Sequence, residues 1–444
     1  MKHNILFITI DSLRADKIYG QNKSSLTPNI DLLINNGIYF TQAISTSDAT
    51  GLSIGSIFTA TYPFKTGITH FNYNPDTLNY FDLLKKNGYN VYATVPDISF
   101  FLALTKNFTD TDAYVYDKRE SWVQLVGGVG DLIINRLENK LKEPWAYFIH
   151  LMDLHGPFYI PSEFDSEKYG KTRYDRMVSA IDVWLGKFLQ KIDLTNTLVV
   201  LSADHGDYIP ITDKNPKKPS KIHELLKKGK KTLPILEPIG LRIFIAINSM
   251  KKSYNYNKLK KKLTEDDLRT LNSRGQWYLY EELIRIPLIF TGSVLSLTKK
   301  ILTPVRQVDI FPTIVDILNI QNLQTNVDGA SLLPIIEGKT VNEILAYIET
   351  GSRDPKKLGN IIGIRTEQYK YSRSRDDPNA HVILFDLKSD PYENNNLASS
   401  KPEKVQDMEH LLNSVRKDSR QELHELDDEE TRKIQEELKK LGYV

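Results

Sequence analysis

Six short apolar runs, spaced by stretches of helical period, predict an α/β fold with a doubly wound, mostly parallel sheet flanked by helices. A change of texture after about residue 341 adds a smaller C-terminal antiparallel-sheet subdomain to that expectation. The runs are rich in β-branched and aromatic residues and lack the alternation of a half-solvated strand, which suits strands covered on both faces.

The first run, Asn4–Ile10 (NILFITI), reads as the opening strand of the fold. Similar runs recur at 89–95, 145–150, 197–202, 286–290 and 344–348. Between them, 27–35, 78–87, 174–192 and 308–318 have helical period, and Pro28 sits at a plausible first helical position. Residues 1–340 therefore read as one catalytic-sized domain. Within it, 212–274 looks like an insertion, with eight lysines between Lys214 and Lys231 and a second basic run at 258–262. The plain reading is a solvated surface excursion; the functional one is a lid carrying positive charge to an anionic substrate. Residues 363–372 and 382–387 read as antiparallel strands of a 341–400 subdomain, with turns at Asp376–Pro378 and Asp390–Pro391. A charged helical tail, 401–444, follows.

Composition narrows the chemistry. The 444 residues contain no cysteine, so thiolate metal sites, thiol nucleophiles and disulfides are all excluded. With 58 Lys plus Arg against 56 Asp plus Glu, overall charge offers no case for a nucleic-acid partner. No apolar run approaches the roughly 18 residues of a membrane span. The run 5–10 is also too short for a leader's apolar core and leads straight into Asp11, Arg14 and Asp16. A cytoplasmic location is expected.

In an open α/β sheet, ligands sit beyond the carboxyl ends of the strands. Four polar clusters fall there. Asp11 opens Asp-Ser-Leu-Arg-Ala-Asp; Thr50 lies in Ser-Asp-Ala-Thr-Gly-Leu-Ser; Asp153 and His155 follow the 145–150 run; Asp204 and His205 follow the 197–202 run. Each has an ordinary explanation. Asp11 and Thr50 can cap helices, Asp204-His205-Gly206 can be a turn, and His155 can bond within a loop. Together, two carboxylates, an imidazole and a hydroxyl form a donor set that suits a divalent ion beside a nucleophile. Coordination to metal lowers a hydroxyl's pKa, and a helix starting after Thr50 aims N–H groups at the same anion.

These residues stand in motifs that resemble the sulfatase family of the alkaline-phosphatase superfamily, over nearly the whole chain. NILFITIDSLRAD is similar to the family's opening strand and first metal aspartate, and Thr27-Pro28-Asn29-Ile30-Asp31 to its TPNID segment. Residues 53–59 with Tyr62-Pro63 resemble the helix after the nucleophile, and 150–158 the H-x-x-D-x-H-x-P-Y motif. Asp204-His205-Gly206 resembles the second metal motif and Tyr280-Glu281-Glu282 with Arg285-Ile286-Pro287-Leu288 the LYEE-LRVPL segment. Residues 309–313, Asp328-Gly329 and 384–397 match later landmarks, all in the family's order.

The resemblance implies a hydrolase of phosphate or sulfate esters, with Asp11, Asp204 and His205 as metal ligands and Thr50 as nucleophile. His155 would contact a non-bridging oxygen or protonate the leaving group. Asp153, Gln276 and Arg14 would meet the substrate, Gln276 standing where relatives tend to carry Lys or His. Ile54 occupies the arginine position of the formylglycine signature, and threonine is no precursor of formylglycine. Threonine nucleophiles in the superfamily go with phosphodiester, phosphonate or phosphoethanolamine chemistry, which moves the expected substrate from sulfate toward phosphate. Ser12 stands where many calcium sites have a second aspartate, and His205 where they have an amide. One Mn²⁺ or Zn²⁺ is therefore expected rather than Ca²⁺. The expected partner is a small anionic ester on a sugar or lipid headgroup. A sulfatase proper, a transferase to an alcohol acceptor, and an inactive anion-binding member remain alternatives.

Overall fold

The computed structural model describes residues 2–69, 73, 77, 79–116, 124–156, 158–209, 269, 277–295, 297–321, 326–352 and 359–417. Its main sheet is centred on β1 (Asn4–Ile10), which pairs in parallel with β5 (Trp145–Leu151) on one side and β6 (Thr197–Ala203) on the other. All residues of these three strands are buried, which is why their sequences read as continuous apolar runs. Beyond β5 lie β3 (Asn90–Pro96) and β4 (Asp110–Tyr114), also parallel. Beyond β6 lie β7 (Arg285–Thr291), then β2 (Gly37–Ile44), with the short β8 (Lys299–Ile301) and β9 (Val305–Arg306) on its far side.

The sequence expectation of a mostly parallel sheet holds, with differences. Strand β7 runs antiparallel to both neighbours, and its run 286–290 carried no signal of direction. Strand β2 has no clear strand signature because GIYFTQAI mixes polar and apolar residues, and it carries an irregularity between Phe40 and Ala43. The run at 344–348 is no member of this sheet. It forms β10 (Ala346–Glu349), the edge of a separate antiparallel sheet with β11 (Ile361–Arg365), β12 (Tyr369–Ser374) and β13 (Ile383–Asp386). The tail helix Pro402–Val415 packs Met408 and Leu412 onto that sheet.

Phe58 and Phe81, from the helices Thr50–Thr59 and Tyr80–Lys86, pack on Phe148 of β5 and on Phe311 of the helix Ile310–Ile317, with ring centroids 4.6–5.9 Å apart. The helices Pro28–Asn35 and Arg173–Leu189 pack against each other. Asp182 of the second accepts from the backbone N–H groups of Asn29 and Ile30, placing its negative charge at the first helix's N-terminus. No helix among the described residues is long and apolar enough to cross a membrane.

Residues Tyr208–Ser273 separate from the rest of the chain as a compact unit of their own, close to the expected insertion at 212–274. Its lysine runs lie outside the described residues, as does Gln276.

Candidate active site

Sheet register builds the site. Ile10 is level with Leu151 on β5 and with Ala203 on β6, so Asp11 and Asp204 leave adjacent strands side by side. Asp11 N–H still donates to Leu151 O at 2.8 Å, and Asp153 follows two residues later on the same edge. Immediately after Asp11 the chain turns through Ser12 at φ 62°, a left-handed conformation that a serine adopts only at some cost. Three contacts hold that turn. Ser12 N–H donates to Asp204 Oδ1 (3.0 Å), Ser12 Oγ donates to Asp11 Oδ1 (2.6 Å), and Tyr174 Oη donates to Ser12 O (2.7 Å).

Asp11, Asp204 and His205 are buried, and one ligand atom from each lies within 4.8 Å of the others. Asp204 Oδ2 is sealed from solvent with no hydrogen-bond donor, 3.4 Å from His205 Nε2. Burial first, and then the neighbouring Asp11 charge, push the Asp204 carboxyl well above its ordinary value. His205 Nδ1 lies 2.8 Å from Gly206 O, a group that only accepts, so Nδ1 carries the ring proton and Nε2 presents its lone pair to the carboxylates. Two buried carboxylates and an aimed imidazole lone pair fit a divalent cation, which would supply the missing positive charge.

Thr50 faces this triangle. Its Oγ1 lies 3.1 Å from Asp11 Oδ2 and 3.3 Å from His205 Nε2. The expected N-cap role does not hold: Ala49 is the cap, without a side-chain bond, and Thr50 is the first residue of the helix Thr50–Thr59. Its hydroxyl is thus committed to the carboxylate and imidazole. Ser53, the neighbouring hydroxyl, points into the protein and bonds Ser47 O (3.0 Å).

The remaining expected residues divide. His155 Nδ1 meets Tyr116 Oη at 2.8 Å, and Asp153 Oδ1 accepts from Leu125 N–H at 3.1 Å. Burial raises the Asp153 carboxyl to about 7. Arg14, expected to meet the substrate, donates from Nε and Nη2 to both oxygens of Asp16 at 2.9 Å and from Nη1 to Asp207 O at 3.4 Å, so it braces the loops around the site.

Several supports rest on contacts between segments far apart in the chain. The short helix Glu281–Ile284 accepts Gly206 N–H on Leu283 O and Ser45 N–H on Ile284 O, both at 2.7 Å. From the C-terminal sheet, Glu349 N–H donates to Thr46 O (2.9 Å) and Gly351 N–H to Asp48 Oδ1 (2.7 Å). Tyr116 and Tyr174 stand far from the residues they hold, and nothing in a single sequence links such pairs.

Comparison with known proteins shows the family. The sulfatase family model matches residues 3–320, and the model for the C-terminal part of N-sulphoglucosamine sulphohydrolase matches 275–422. Arylsulfatase K of Gallus gallus is 24% identical, covering 93% of this chain and 82% of that protein. A solved 2-O GAG sulfatase superposes with a TM-score of 0.63 at 18% identity, over 94% of this chain and 92% of its own. The phosphonate monoester hydrolase of Agrobacterium radiobacter does so with a TM-score of 0.65 at 14% identity, over 94% and 96%. Members of the family bind a divalent metal. The chain belongs to the sulfatase family of the alkaline-phosphatase superfamily and is a hydrolase acting on ester bonds.

Proposed function

We propose that the protein cleaves a phosphodiester or phosphonate ester, or a sulfate ester, through a covalent intermediate on Thr50, with one divalent ion held by Asp11, Asp204 and His205. The observation that carries this reading is Thr50 Oγ1, at the start of a helix and within 3.3 Å of both Asp11 Oδ2 and His205 Nε2. When bound, the ion lowers the pKa of that hydroxyl and offsets charge on the ester's oxygens. One imidazole beside two carboxylates favours Mn²⁺ or Zn²⁺ over Ca²⁺.

Thr50 Oγ1, its proton released to solvent beforehand, attacks phosphorus or sulfur as the alkoxide while the bond to the leaving oxygen breaks, and it leaves the second step as the alkoxide again. His155, its ring steadied by Tyr116, gives the leaving oxygen a proton. Water then attacks the same phosphorus or sulfur, returns a proton to His155, and frees Thr50. Threonine lacks the second hydroxyl by which an aldehyde hydrate expels a bound anion, so this second attack is required. The phosphonate-hydrolase neighbour supports the phosphorus arm. Sulfate-ester hydrolysis is the second reading, favoured by the likeness to arylsulfatase K along most of the chain. Cytoplasmic residence belongs to the same proposal, and cell fractionation tests it.

The decisive experiment pairs metal analysis with Thr50→Val, which keeps the side-chain shape and all three ligands but removes the attacking oxygen. The parent should hold about one divalent ion and turn over aryl phosphonates or phosphodiesters faster than aryl sulfates. Thr50→Val should keep the metal and lose on the order of a thousandfold or more in kcat, with Thr50→Ser partly active. A Thr50→Val enzyme with normal turnover, or a trapped adduct on Ser47 or Ser53, removes Thr50 from the mechanism.

A further inference from the structure

The loop that carries Thr50 and the loop that carries Asp204 come from different strands, and one amide joins them. Gln307 is fully buried in the single turn Gln307–Asp309 that precedes the helix Ile310–Ile317. Its Oε1 accepts from Thr46 N–H at 3.2 Å. Its Nε2 donates to Ala203 O at 3.1 Å and to Asp204 O at 2.8 Å. A backbone N–H can only donate and a carbonyl can only accept, so the partners fix which end of the amide is which. Ser45, also fully buried, makes a parallel link: its Oγ donates to Asp204 O at 2.6 Å and lies 3.3 Å from Gln307 Oε1.

We propose that Gln307 is a positioning residue for the reaction, locking the nucleophile loop to the metal-ligand loop so that Thr50 Oγ1 and the Asp204–His205 pair keep a fixed separation. This rests on the reading of Thr50 as nucleophile. The side chain touches neither Thr50 nor the ligands' side chains; it acts on the backbone four residues before the first and at the second. A buried glutamine amide with both ends used is costly to replace, because its removal strands one N–H and leaves two carbonyls relying on fewer donors. Leucine fills the volume but severs the link. Glutamate is a sharper probe, since it keeps an oxygen for Thr46 N–H but turns the donor that served Ala203 O and Asp204 O into a second acceptor.

The test measures kcat, KM, bound metal and melting temperature for Gln307→Leu and Gln307→Glu, alone and combined with Thr50→Val. Gln307→Leu should lower kcat about ten- to hundredfold per folded, metal-loaded molecule, with KM within about twofold, since sub-ångström to ångström misplacement costs that much. Gln307→Glu should lose at least as much. In the Thr50→Val background neither change should lower the residual rate further, because there is no nucleophile left to position. If Gln307→Leu does not fold, Ser45→Ala carries the same test through the parallel link. A merely structural role would lower the melting temperature and leave kcat per folded molecule unchanged, which overturns the proposal. So does a loss that tracks metal content, or losses that multiply across the double mutant. Normal turnover by Thr50→Val alone sinks the nucleophile reading and the positioning role with it, and is seen separately from any Gln307 effect.

Discussion

Replacing Gly206 by alanine tests how tightly the site is built, because the added methyl has no room. A Cβ on Gly206 would lie 2.0 Å from Glu282 O and 3.3 Å from Arg14 Cγ, and real Cβ contacts essentially never fall below 3.0 Å. Something must therefore move by at least an ångström. The helix Glu281–Ile284 resists. It is bonded to Ser45 through Ile284 O, its first N–H donates to Glu393 Oε2, and Glu281 pairs with Arg365 and Lys370. The yielding side is the turn at Gly206, whose own carbonyl, in the Gly206–Asp207 peptide, fixes the tautomer of the His205 ring. Displacing that ring by about an ångström costs on the order of a hundredfold in rate. Overpacking should also lower stability by about 1–3 kcal/mol. Gly206→Ala is expected to show kcat down by roughly two orders of magnitude and reduced metal occupancy, measured by steady-state kinetics and elemental analysis on folded protein. An alanine variant with parental kcat and full metal content would show that the turn is free to adjust, and the positioning scheme would fail with it.

Two further outcomes follow from burial. Asp153 is held at about 7 by burial, above its ordinary 3.8, so between those values the folded chain keeps a proton that the unfolded chain has released. Its contribution to stability therefore falls as pH rises from about 4 to about 7, by on the order of 4 kcal/mol in all. Asp153→Asn should lose this dependence and gain on the parent between about pH 5 and about pH 8 in urea melts; equal slopes for the two proteins would refute the assignment. Phe58 sits at the centre of the aromatic cluster with no exposure, so Phe58→Ala should cost about 3–5 kcal/mol in denaturant unfolding. A loss below about 1 kcal/mol would mean that the neighbouring rings collapse into the gap.

What the sequence made legible was whatever is encoded by local repetition or by chemical type. Strands β1, β5 and β6 are apolar along their length because they are covered on both faces, and that leaves an unbroken signature. The polar residues following them were then natural candidates, and Asp11, Thr50, Asp204 and His205 do converge. Strand β2 was not legible, because Thr41 and Gln42 are only half-buried and break its pattern. The direction of β7 and the sheet to which β10 belongs depend on partners far along the chain, which no window of sequence contains. Arg14 was expected to meet the substrate; its engagement with Asp16, two residues on, is a matter of side-chain direction. Gln307 sits beside a recognised landmark, but its value lies in four contacts to residues more than 100 positions away, and composition has nothing to say about those.

The bond from Gly351 N–H to Asp48 Oδ1 spans 303 residues of chain. During synthesis, Thr50 leaves the ribosome long before the segment that steadies its loop exists. At the pace of translation, about 5–20 residues per second, the delay is on the order of 15–60 seconds. Through that interval β1 and β2 can be present while Thr46 and Asp48 still lack their bonds to Glu349 and Gly351. On the proposed reading of Thr50 as nucleophile, tethering its loop to so late a part of the polypeptide would make hydrolytic competence a property of the finished chain, and a nascent or prematurely terminated product would be unable to attack esters in its surroundings.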